Sequence, residues 1–95
     1  RLNMDNAFRK VLTPLEKIEL SQIRLVAVIE LKNKTIAMVE EASGKGYEVG
    51  VGTFIGKNGG RISKIQSDRI VVSEPVRDFK GKLSERIEEI KLHKN

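Results

Sequence analysis

Ser21-Gln22-Ile23-Arg24-Leu25-Val26-Ala27-Val28-Ile29-Glu30-Leu31 holds the longest apolar run of the chain, Leu25 to Ile29. Its odd positions, Ile23, Leu25, Ala27, Ile29 and Leu31, are all apolar, while Gln22, Arg24 and Glu30 stand at even ones. Successive side chains of an extended strand point to opposite faces, so a period of two predicts a strand with one core face and one mostly wet face. On that reading Ile23, Leu25, Ala27 and Ile29 share a single dry surface.

Turn chemistry on either side supports the same period. Lys32-Asn33-Lys34 reads as a turn into a return strand over Thr35 to Glu40, and Ser43-Gly44-Lys45-Gly46 as the next turn. Tyr47, Val49 and Val51 alternate with Glu48 and Gly50, which predicts a third strand. Glycines at 52, 56, 59 and 60 isolate Thr53-Phe54-Ile55 as a short piece. Arg61 to Gln66 and Arg69 to Glu74 read as a hairpin around Ser67-Asp68. Pro75 ends that strand or leaves it at an edge, because proline cannot donate to a ladder. Asp78 to Gly81 turns again. Leu83 to Leu92 fits a helical face through Leu83, Ile87 and Ile90, or a strand face through Ile90 and Leu92; the strands upstream favour a closing strand.

On the N-terminal side, Thr13-Pro14-Leu15-Glu16 has the order of a helix start: a capping hydroxyl, proline at the first position and a carboxylate that reaches back. One or two turns ending near Ile18 are expected. Residues 1–12 carry no period and read as a flexible, partner-binding tail, leaving 13–95 as the domain. Short strands with turns between them and no long helix describe an all-β fold. The expectation is a small β-sandwich of six to seven short antiparallel strands.

Ninety-five residues suffice for one domain. No apolar run approaches the ~20 residues needed to cross a bilayer. The chain opens at Arg1 without an initiator Met, so it reads as a processed piece whose targeting segment lies upstream. Cysteine is absent, which removes disulfides, thiolate metal sites and thiol catalysis. The net charge of +5 comes from basic residues spread along the chain and interleaved with acids, the pattern of a solvated surface.

Catalysis finds no support in the residues. The single histidine, His93, stands near the C-terminal end, and the Glu40-Glu41 and Glu88-Glu89 neighbours would diverge on a strand. No metal ligation and no cofactor are expected. Gly56-Lys57-Asn58-Gly59-Gly60 lacks the spacing and following helix of a phosphate-cradling loop, so its glycines read as turn residues. A small β-barrel that binds nucleic acid is the rival reading, on Lys57, Arg61, Lys64 and Arg69. Such surfaces also stack bases on aromatic rings, and Phe8, Tyr47, Phe54 and Phe79 are dispersed. Asp68 and Glu74, beside the basic run, would oppose phosphates. A non-catalytic sheet with open edges instead suits protein docking, since unpaired backbone groups can accept a partner strand.

The order of Pro14-Leu15-Glu16-Lys17, Leu20 to Ile29, Ala37-Met38-Val39-Glu40, Ser43-Gly44-Lys45-Gly46-Tyr47, Val51 to Ile62 and Arg77-Asp78-Phe79-Lys80-Gly81-Lys82 resembles the periplasmic domain of the PilP family of type IV pilus proteins. The resemblance implies a lipoprotein held to the inner membrane by a lipid-bearing Cys that this chain lacks. It implies a non-enzymatic periplasmic scaffold linking the inner-membrane PilM/PilN/PilO subcomplex to the outer-membrane secretin PilQ. It also implies likeness to the homology region of GspC, so a secretin-docking module of a type II secretion system is the related alternative. By that analogy Phe8, Val11 and Leu12 are expected to anchor the tail on the PilN–PilO pair. The edge of the first strand, with Gln22, Arg24 and Glu30, is expected to meet the N-terminal periplasmic domain of PilQ.

Overall fold

Strand β2 (Thr35–Glu41) lies antiparallel between β1 (Ile23–Glu30) and β3 (Gly46–Val49). Its buried residues, Ala37 and Val39, are two apart, as a half-buried strand requires. The computed structural model describes residues 12–94. A second antiparallel sheet runs β4 (Phe54–Ile55), β5 (Gly60–Gln66), β6 (Arg69–Arg77) and β7 (Leu83–Lys91), in that spatial order. Ile23, Leu25, Ala37, Val39 and Val49 of the first sheet meet Ile55, Ile62, Ile70 and Val72 of the second in one buried cluster, to which Leu15 adds. The fold is the expected β-sandwich, with seven strands, and the ambiguous last segment is a strand.

The first strand corrects the simple alternation. Leu25 stands opposite Val39 and Ala27 opposite Met38, so Val26 is an extra residue, a β-bulge. An extra residue reverses the phase of everything after it. Ile23 and Leu25 are buried, but past the bulge it is Val28, opposite buried Ala37, that packs on the core. Ile29 is 39% exposed and Leu31 is also exposed. The four residues Ile23, Leu25, Ala27 and Ile29 therefore do not share one surface.

Two further expectations shift. Val51 is exposed in a turn rather than in β3, because Gly50 N–H donates to the Thr53 hydroxyl at 2.9 Å and Thr53 N–H to Gly50 O at 3.1 Å. Pro75 lies inside β6, which continues to Arg77. Pairing of β5 with β6 stops at Ser73, so the β5 side of β6 has no ladder at Pro75 for the missing N–H to break.

At the N-terminal end the Thr13 cap works as its sequence promised. Thr13 N–H and its hydroxyl both donate to Glu16 Oε1, at 3.0 and 3.2 Å, over the 3-10 turn Pro14–Lys17. Gly56 N–H donates to Leu15 O at 2.9 Å and docks that turn on β4. Gly60 is required by closeness rather than by backbone angle: a Cβ there would lie 2.8 Å from Ile55 O and from Val72 Cγ1.

Candidate docking surface

Strand β1 is an outer strand of its sheet, and its first half is covered by the chain's own far end. Leu92 forms a parallel bridge with Leu25, and His93 N–H donates to Leu25 O at 2.8 Å. Leu92 N–H in turn donates to Asp68 O at 2.7 Å, so this short segment joins the two sheets. It is the backbone of His93 that is used. Beyond the bulge no further strand lies on the outer side of β1 among the described residues. Exposed Val26, Ile29 and Leu31 follow that open stretch.

The predicted contact residues are distributed along this edge. Gln22 is exposed in the 3-10 turn Leu20–Gln22 that leads into β1. Arg24 is exposed and ion-paired with Glu40 across the β1–β2 ladder. Glu30 is exposed at the far end, and the bulge places it on the opposite face from Arg24. Gln22 and Arg24 flank the covered half of the edge and Glu30 the open half, so no single sheet face carries all three. Leu12 is exposed; Phe8 and Val11 lie outside the described residues.

The basic residues of the nucleic-acid reading divide. Arg61, Lys64 and Arg69 share the outer face of the second sheet with Phe54 by register, and the Arg61 guanidinium sits 4.6 Å from the Phe54 ring centre. Lys57 instead borders a cleft at the end of the sandwich. Arg69 is engaged by Asp68 at 3.0 Å and by Glu89 at 2.9 Å. The Arg69 hydrogen bond holds the Asp68 carboxyl below its usual range, and the same contact raises the guanidinium further. On the first sheet, donation from the Ser43 and Tyr47 hydroxyls lowers the Glu41 carboxyl and raises the Tyr47 phenol.

Sequence reasoning placed Glu74 beside the basic run; the structure buries it to 1% exposure. Arg86 donates twice to Glu74 Oε1, at 3.2 Å from Nε and 2.9 Å from Nη2, and Asn58 Nδ2 reaches Oε2 at 3.4 Å. A buried carboxylate persists only when it is paired in this way. The signal was present: Ile70, Val72, Glu74 and Val76 occupy alternate positions, so Glu74 faces inward with its apolar neighbours. The group ties β7 and the β4–β5 turn to β6. Among the described residues no group of three or more His, Cys, Asp and Glu side chains could hold a metal ion.

The sequence profile of a family described as "Pilus assembly protein, PilP" matches residues 3–92. The chain belongs to the PilP family. Its fold is similar to the solution structure of PilP from Pseudomonas aeruginosa, with 28% identity, a TM-score of 0.77 and coverage of 93% of this chain and 78% of that one. It is similar also to a domain of the type IV pilus biogenesis lipoprotein PilP from Pseudomonas aeruginosa PA01, with 30% identity, a TM-score of 0.76 and coverage of 87% and 94%. A domain of the Neisseria meningitidis PilP pilot protein matches with 34% identity, a TM-score of 0.66 and coverage of 88% and 74%. A comparison with curated protein sequences finds no match. The PilP resemblance read from the residues is thus borne out, and the chain is a type IV pilus assembly protein. PilP is an accessory family of pilus assembly rather than a known enzyme family.

Proposed function

We propose that this PilP domain is a periplasmic docking scaffold, tied to the inner membrane through an upstream lipid anchor. It links the PilM/PilN/PilO subcomplex to the N-terminal periplasmic domain of the secretin PilQ. The relatives described as lipoprotein domains support the anchor. The observation that carries the docking role is the outer side of β1. One half is covered by Leu92 and His93, and the other half is an unpaired edge beside exposed Val26, Ile29 and Leu31. Edge backbone groups supply hydrogen bonds to an incoming strand, and apolar neighbours supply the area that such an interface needs. On this reading Arg24 and Glu30 touch the partner from the two faces of the same strand. Leu12, with Phe8 and Val11 before it, serves the PilN–PilO side.

The test is titration of the labelled domain with a PilQ N-terminal fragment, followed through amide shifts. Changes should gather on Gln22, Arg24 and Ala27 to Leu31. Changes confined to the Lys57 to Arg69 region would overturn the assignment.

A further inference from the structure

The turn joining β6 to β7 carries Phe79, which is 95% exposed, the most exposed of the large apolar side chains described. The turn is tightly built. Asp78 Oδ1 accepts the backbone N–H groups of Lys80 at 2.8 Å and Lys82 at 2.9 Å. Asp78 N–H donates to Lys82 O at 3.0 Å, and Gly81 N–H to Asp78 O at 2.9 Å. Gly81 supplies the left-handed angle, with φ of +82°. Arg77 Nη1 donates to Gly81 O at 2.8 Å and braces the turn from the strand.

Two consequences follow from this wiring. The only carboxylate of the turn is directed at its own backbone, so the outward charges are the cations Arg77, Lys80 and Lys82, none of which is ion-paired with an acid among the described residues. The phenyl ring is held out, and the Lys80 ammonium stands 5.7 Å from its centre. Exposed Leu83, opposite Arg77 on the outward face of the sheet, adds a second apolar group beside it.

We infer that this turn contacts the surface of an anionic phospholipid bilayer, with Phe79 entering the headgroup boundary and Arg77, Lys80 and Lys82 meeting the phosphates. A protein interface of ordinary size needs a broad patch with a central apolar cluster. One ring and one leucine among cations do not provide one. A lipid interface accepts this arrangement, because aromatic rings settle at headgroup depth while neighbouring basic side chains reach the charged layer. The net charge of +5 adds attraction of the same sign at longer range. The inference rests on the turn alone and does not require the docking role of β1.

The chain contains no tryptophan, so Phe79→Trp introduces a single fluorescent reporter at an exposed position. With vesicles of phosphatidylglycerol and phosphatidylethanolamine at low salt, its emission should shift to the blue and be quenched by brominated acyl chains. Phosphatidylcholine vesicles should leave it unchanged. In the same vesicles Lys80→Glu should lower partitioning at least fivefold, since one basic residue near an anionic surface is worth roughly that factor. Phe79→Ala should lower sedimentation of the chain with the vesicles. Val51→Trp, on the exposed turn between β3 and β4, reports contact made anywhere else on the molecule. A missing shift at position 79, an equal shift on phosphatidylcholine, or an equal shift at position 51 would overturn the inference; the second outcome indicates apolar contact without charge recognition. A blue shift of the position 79 reporter with a protein partner and none with anionic vesicles also overturns it.

Discussion

Strands β1 and β5 contain the same irregularity, and only one of them announces it. In β5, Ile62 stands opposite Val72 and Lys64 opposite Val71, so Ser63 is the extra residue. Two polar residues in succession, Ser63-Lys64, separate core-facing Ile62 from Ile65, and the skipped beat is visible in the sequence. In β1 the extra residue falls inside Leu25-Val26-Ala27-Val28-Ile29, where every choice of phase looks apolar. Both bulges turn the later part of their strand over, and both leave an inward residue, Ile65 or Val28, packed on the buried cluster. Hydrophobic alternation reports register only where polar residues mark the other face.

Mutation can separate the two sides of each bulge. Leu25→Ala and Ile62→Ala, before the bulges, each remove a fully buried side chain and should destabilise by about 2–5 kcal/mol in denaturant titrations. If either substitution proved neutral, the phase assigned to that strand would be wrong. The second sheet also depends on the Glu74 pairing. Arg86→Ala strips its main partner and should destabilise by roughly 1–3 kcal/mol, below the full figure for a broken buried pair because the Arg86 side chain is 51% exposed. Ile29→Ala, after the β1 bulge, should change stability by less than ~1 kcal/mol, although unbroken alternation would rank it with Leu25. A loss as large as that of Leu25→Ala would remove the bulge from the account.

The smallest effect expected is electrostatic, at the β2–β3 end. The folded state holds the Glu41 carboxyl below its ordinary value, so its stabilisation is present above the unfolded carboxyl's range and is lost as pH falls through the depressed folded value. Tyr47→Phe deletes one of the two hydroxyl donors. The Glu41 midpoint, followed by NMR through the acid range, should rise toward the ordinary carboxylate value. An unchanged midpoint would discard the Tyr47 contribution.

The architecture was legible in the sequence because its turns carry explicit chemistry: the Thr13 cap, the glycines around Thr53-Phe54-Ile55 and the Ser67-Asp68 hairpin each stand where the chain reverses or begins. The edge was harder to read. Which half of the outer side of β1 stays open depends on Leu92 and His93 reaching back to Leu25, a contact more than sixty residues away in sequence that no local pattern encodes. Glu74 was misplaced for a related reason: a charged side chain was taken as a surface group, although its strand phase was that of Ile70 and Val72.

The bridge between Leu92 and Leu25 is parallel, and it joins a strand near the start of the domain to the segment that finishes it. Tension applied at the two ends of such a domain pulls these neighbours past each other along their common axis. The His93 to Leu25 bond and the side chains beside it are then loaded in shear instead of being peeled apart in turn. A domain loaded from its two ends thereby resists stretching along the line on which it is pulled.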